Sequence, residues 1–253
     1  MAEQEPGPSH SAPESHADVN PWIIPDSSRL EALAEFAAGA GHEINNPLAT
    51  IIGRAQLLLK GEKDPQRRQM LQSIGAQAYR VRDMIGDTML FARPPKPELG
   101  LVILANAVET AVARLTDQLS SSRCTVATQF PTDLALTADP TQLAIVLSEL
   151  LRNSIQALQP EGGAIQIRAT GTGENLAQIE IEDHGRGFTA TERIHAFDPF
   201  FSGRQAGRGL GFGLPKCWQI IRLHGGSIEI HSPTGGPTIV KIAWPSGPPA
   251  EVR

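Results

Sequence analysis

Two cysteines are all that this chain of 253 residues contains, Cys124 and Cys217. They stand far apart and outside any paired spacing, so neither a zinc site nor a disulfide framework is signalled, and a reducing compartment fits best. No stretch approaches the roughly twenty apolar residues that span a bilayer, and the first residues lack the basic and apolar blocks of a secretory leader. A surplus of positive charge is missing too: 22 Lys and Arg against 27 Asp and Glu leave a formal net charge of −5. That balance argues against nucleic acid or an anionic membrane held by bulk charge. The absences together predict a cytoplasmic protein with no membrane span and no nucleic-acid partner.

What is present suffices for one or two domains with real cores, since 40% of the residues are hydrophobic. Residues 1–28 are rich in Pro, Ser, Glu and His and read as a disordered tail, because such a composition cannot offset the entropy of ordering. His10 and His16 in that tail read as spectators. From Leu30 the apolar residues step by three and four through Leu33, Ala37, Ala40, Ile44, Pro47 and Ile51, and again through Leu71, Ile74, Ala78, Val81, Ile85 and Met89. Between the two seams, Asp64 can cap a helix and Pro65 can open it. The pattern predicts an all-α helical hairpin over 29–93. One hairpin buries only one stripe per helix, so a second copy completes it as a dimeric four-helix bundle, a homodimer.

Arg93-Pro-Pro-Lys-Pro ends the second helix and starts a linker, 94–100. Beyond it the spacing predicts a helix over about 102–120, strands near 124–130 and 134–138, and a helix from Asp139 to Leu158. Strands at 164–169 and 178–183 follow, then a Gly-rich segment over 184–214, a helix to about Leu223, and strands at 227–232 and 238–244. Residues 101–245 thus read as an α+β sandwich, with helices on one face of a mainly antiparallel sheet, and 246–253 as a C-terminal tail.

Several runs carry chemistry. His42-Glu-Ile-Asn-Asn-Pro-Leu sets an imidazole beside a carboxylate on a helix, and at about 100° per residue His42 points away from the seam. Pro47 cannot donate to the Glu43 carbonyl, which should kink or loosen the helix there. Asn46 shares the face of His42. Glu43 does not, but it could reach the second imidazole nitrogen and raise the nucleophilicity of the first. Alone, the run reads more readily as a solvated His and Glu on an exposed helix than as a site. Glu149 and Asn153 stack at i, i+4, and a carboxamide there can give one oxygen to Mg²⁺; unsupported, the pair is a polar face. Asp183 shares a strand face with Ile179 and Ile181 and needs a donor, which the exocyclic amine of adenine or nearby amides would supply. Gly185 and Gly187 allow backbone to pass close to a flat base. Gly207, Gly209, Gly211 and Gly213 precede a helix opened near Pro215, a terminus suited to phosphate, with Arg204 and Arg208 beside it.

In order, these pieces resemble the sensor histidine kinases of two-component systems, which join a HisKA-type hairpin to a GHKL-type ATP-binding domain of the Bergerat fold. The run from His42 resembles the H box, Glu149 to Ala157 the N box, and Asp183-His-Gly-Arg-Gly the first glycine box. Phe197-Asp-Pro-Phe-Phe resembles the F box, Gly209 to Leu214 the second glycine box, and Gly235-Gly-Pro-Thr238 a weakened third. The resemblance implies ATP and Mg²⁺ as cofactors, with Asn153 and Glu149 toward the metal. It implies Asp183, Gly185, Gly187, Phe197, Arg204, Arg208, Gly209, Gly211, Gly213, Leu214 and Thr238 toward the nucleotide. It also implies autophosphorylation of His42, deprotonated by Glu43, and transfer to an aspartate of a response regulator receiver domain. Glu43 and Asn46 match a pattern for positioning water, which implies regulator phosphatase as a second activity. The chain departs from the family pattern at Glu149, where many relatives carry asparagine, at Ser202-Gly-Arg after the F box, and at Pro237. No sensory domain is visible in this sequence, so the input is expected from an unidentified partner, from the tail, or from a part absent from this chain. An ATPase that works without His42 and a non-catalytic dimeric scaffold remain alternatives.

Overall fold

The computed structural model describes residues 27–172, 175–201 and 211–247. Helix α1 (Ser27–Gly61) and helix α2 (Pro65–Ala92) form the hairpin. Asp64 caps α2 by accepting a hydrogen bond from the Arg67 amide at 2.9 Å, with Pro65 in the first turn, as the sequence predicts. Helix α1 is continuous through Pro47. The seam is corrected in phase: Leu48, Ile52, Ala55 and Ala78 are buried inside the hairpin, whereas Ile44, Ile51, Ile74 and Val81 are exposed. Leu30, Leu33 and Ala37 lie outside the described side chains. A Cβ at Gly41 would lie 3.2 Å from Ile85 and 3.3 Å from Met89, so glycine lets the two helices approach beside His42.

The linker after α2 is held down. The Gln142 side chain donates to the Pro95 carbonyl at 2.9 Å, and the Glu98 amide donates to Asp139 at 3.0 Å. Strand β1 (Gly100–Ile103) then pairs antiparallel with β3 (Ala135–Ala138) in a small two-stranded sheet. The single helix predicted over 102–120 is instead β1, α3 (Leu104–Arg114) and α4 (Thr116–Ser121), with the helical run interrupted at Leu115. The apolar run from Leu101 to Leu104 hides the change from strand to helix, because both periods accept it.

The main sheet has the order β2-β4-β5-β7-β6, formed by β2 (Cys124–Gln129), β4 (Gly163–Thr172), β5 (Leu176–Asp183), β6 (Ser227–His231) and β7 (Thr238–Pro245). All neighbours are antiparallel except β2 and β4, which run parallel. Helix α5 (Pro140–Ala157) and helix α7 (Gly213–Leu223) pack with α3 over this sheet, and their Leu, Ile and Val side chains form one core with Ile165, Ile179, Ile181 and Trp244. The layering follows from α5 presenting Leu143, Val146, Leu147, Leu150, Leu151 and Ile155 on one stripe, and from the sheet strands alternating buried and open positions. A short helix, α6 (Ala190–His195), lies within the Gly-rich segment where none is predicted. Its capping box, Thr189 with Glu192, is the sequence signal that marks it. Among the described residues no helix is long and apolar enough to cross a membrane.

Candidate nucleotide site and phosphoacceptor

Three elements converge on the predicted nucleotide residues: the middle of α5, the end of β5 and the start of α7. Asp139 opens α5 by accepting from the Thr141 and Gln142 amides. The helix then carries Glu149 and Asn153 on one side, and α7 arrives against them. A Cβ at Gly213 would lie 3.3 Å from Glu149 Oε2 and 3.7 Å from both amide atoms of Asn153. Glu149 Oε1 is bound by Arg152 at 2.8 Å and by Lys216 at 3.0 Å. Burial opposes the charge on Glu149, but Lys216 and Arg152 outweigh it and hold the carboxyl below its usual range. The carboxylate is thus held charged between two cations.

Asp183 is 2% exposed at the end of β5. Ser154 Oγ donates to one of its oxygens at 2.8 Å and the Gly185 amide to the other at 3.0 Å. Desolvation nevertheless raises its pKa, with the Ser154 and Gly185 bonds pulling the other way. The buried carboxylate is satisfied within the protein, and its unused lone pairs can accept one further donor. Opposite it in the ladder stands Thr238, whose hydroxyl lies 2.8 Å from Ser232 Oγ.

The two glycines after Asp183 meet a packing demand that the expected approach to a base does not include. A Cβ at Gly185 would fall 2.6 Å from the Ala157 carbonyl, and Gly187 has φ +65 with the Pro233 carbonyl 2.2 Å from a Cβ position. Both serve chain packing. Gly211 likewise has φ +72 and would meet the Phe201 carbonyl at 2.3 Å, which binds the end of the Phe197 run to the start of α7. Phe197 is buried in the core and Leu214 packs against it. Arg204, Arg208 and Gly209 lie outside the described residues. Helix α7 starts at Gly213 rather than Pro215 and has no side-chain cap. Such a helix start, with its dipole, suits an anion.

The hairpin docks on this same end of α7 through residues that periodicity does not reveal. Phe91, fully buried, packs on Phe212 with ring centroids 6.1 Å apart, and Phe200 meets Phe212 edge-on at 4.7 Å. Lys216, 5% exposed, donates to Asp87 of α2 at 2.7 Å as well as to Glu149. The only hint in the sequence is a lysine beside Cys217 on an otherwise apolar helix stripe. On α1, His42, Glu43 and Asn46 are all exposed, and no hydrogen bond links His42 to Glu43 among the described residues. The outward placement predicted for His42 thus holds.

The family described as His Kinase A (phospho-acceptor) domain matches residues 32–96, and that described as Histidine kinase-, DNA gyrase B-, and HSP90-like ATPase matches residues 138–248. The sensory histidine kinase/phosphatase NtrB of Salmonella typhimurium is 34% identical over 211 residues, which cover 79% of this chain and 59% of NtrB. Sporulation kinase C of Bacillus subtilis is 26% identical over 230 residues, covering 90% of this chain and 52% of that protein. The chain thus spans little more than half the length of these relatives. Full-length ShkA in complex with AMPPNP superposes with a TM-score of 0.73 at 19% identity, over 85% of this chain and 46% of ShkA. Acinetobacter baumannii histidine kinase AdeS gives 0.59 at 19% identity, over 81% of this chain and 98% of AdeS. These two likenesses show the fold. With the phosphoacceptor hairpin and the ATPase domain matched in order along it, the chain belongs to the sensor histidine kinase family of two-component systems.

Proposed function

We propose that the chain is an ATP-dependent protein-histidine kinase that phosphorylates itself on His42 and passes the phosphoryl group to an aspartate of a response regulator receiver domain. The observation that carries this reading is the convergence of Glu149, Asn153 and the uncapped start of α7 around Gly213, in a chain that also exposes His42 on a hairpin docked to that domain. Asp183 accepts the exocyclic amine of adenine through a lone pair left by Ser154 and Gly185. Gly213 and Leu214 turn their amides to the phosphates. The Asn153 amide makes no hydrogen bond among the described residues, and Glu149 keeps Oε2 toward Gly213, a donor set that fits Mg²⁺. Bound there with phosphate oxygens, the ion would neutralise charge developing on the transferring group.

In the transfer, an imidazole nitrogen of His42 forms the N–P bond in line as the bond from the γ-phosphorus to the ADP oxygen breaks. Glu43 orients the ring and accepts the proton from the other nitrogen. The step is mostly positioning and charge neutralisation. Dephosphorylation of the regulator is a second activity of the same face, supported by the joint exposure of Glu43 and Asn46 and by the kinase/phosphatase name of the NtrB relatives. A homodimer belongs to the same proposal, supported by the exposed Ile44, Ile51, Ile74 and Val81 of the hairpin. So does residence in the cytoplasm, supported by the free, buried Cys124 and Cys217. Incubation with γ-labelled ATP should give an acid-labile, base-stable label on the chain, abolished in His42→Gln; equal labelling of the variant would overturn the assignment.

A further inference from the structure

The ammonium of Lys216 sits between two carboxylates that belong to different parts of the molecule. Glu149 is part of the nucleotide site, at 3.0 Å, and Asp87 is part of the hairpin, at 2.7 Å. Lys216 lies in the first turns of α7, three residues beyond Gly213, and its burial leaves it no solvent to replace a lost partner. The two cations Lys216 and Arg152 are balanced by the two carboxylates Glu149 and Asp87, one of which comes from the hairpin. An anionic nucleotide entering at Gly213 therefore brings its phosphates to cations that the hairpin already helps to neutralise.

We propose that Lys216 is a shared counter-ion for which Asp87 of the hairpin and the phosphates of the nucleotide compete, so that nucleotide entry loosens the docked hairpin. The proposal rests on the nucleotide reading of the site given above. Linkage makes the effect reciprocal: whatever the phosphates gain when Asp87 is absent, the docked hairpin loses when they arrive. Asp87 is the carboxylate more readily given up: its side chain is 30% exposed against 15% for Glu149, so water can replace Lys216 at Asp87 more easily. The Phe91 and Phe212 contact beside it is apolar and indifferent to the charge of a ligand. Helix α2, and not the α1 helix that carries His42, makes the principal contact with α7, so a freed domain gains access to other faces of the hairpin.

The test is nucleotide affinity of the full chain, measured by calorimetry with ADP alone and with ADP plus Mg²⁺. Asp87→Asn removes one charge from a side chain that is only partly buried, and it should tighten metal-free ADP by about threefold to tenfold, the range for one incompletely screened charge. Asp87→Glu should return the affinity to the parent value. In a Lys216→Met background the gain from Asp87→Asn should vanish, because the pair shares the ammonium. Affinity unchanged or weakened in Asp87→Asn, with the parent chain binding ADP normally, overturns the shared counter-ion and leaves the nucleotide site standing. A parent chain that binds no ADP overturns both.

Discussion

In the hairpin, Leu48, Ile52 and Ala78 make up the buried apolar cluster while Ile44, Ile51, Ile74 and Val81 face outward; in the sandwich a single cluster runs from Leu104 through Val146, Ile165 and Cys217 to Trp244. The sandwich closes its core within one chain. The hairpin, 35 and 28 residues of helix long, does not. Two helices can each hide a stripe against the other, but apolar residues spread over two sides of each require another surface. Stability in one region is thus intrinsic, and in the other, under the proposed homodimer, it would depend on concentration.

The sharpest way to break this contrast is to remove Trp244, which is fully buried and donates from Nε1 to the Thr137 carbonyl at 3.0 Å. Trp244→Ala should lower the stability of the sandwich by about 3–5 kcal/mol, the usual effect of truncating a buried aromatic. Chemical denaturation would follow it. The loss should be independent of protein concentration. A smaller effect, about 1.5–3 kcal/mol per copy from one apolar side chain returned to water, is expected for Ile74→Glu. Sedimentation should then show dissociation to monomer with the sandwich still folded, and a dimer of unchanged strength would place the interface elsewhere.

The smallest of the three effects involves pH. His224 accepts a hydrogen bond at Nε2 from the Asp139 amide and donates from Nδ1 to the Ile220 carbonyl, so the neutral ring is the one that fits. Burial lowers its pKa, opposed by the Ile220 bond and by Asp139. The folded state therefore binds the proton less well than the unfolded state. Stability from this group is present above the unfolded value of about 6.5 and is lost as pH falls below it. Denaturation midpoints at pH 7.5 and 5.5 should converge more closely in His224→Gln than in the parent chain.

The two regions also differ in how far the sequence reveals them. Periodicity locates both helices of the hairpin and the Asp64 cap, because these depend on neighbours in the chain. It misassigns the inward stripe by selecting Ile44 and Ile51 over Leu48 and Ile52, since a helix apolar on two sides does not say which side meets its own partner. In the sandwich, strand alternation brings out Asp183 as a carboxylate on an apolar face. Its partner Ser154 carries no such mark, and neither does Asp87, which meets Lys216 across 129 positions of chain. Contacts of that kind belong to tertiary placement and leave no period behind them.

The clasp on the linker sets a limit on travel. Helix α2 ends at Ala92, and three residues later the Pro95 carbonyl is held by Gln142 of the sandwich. Three residues of extended chain reach about 10 Å. The tether is therefore short: under the proposed transfer, while the clasp holds, the sandwich would pivot about a point close to the end of α2, and its route toward the imidazole would be an arc of rotation with little free translation.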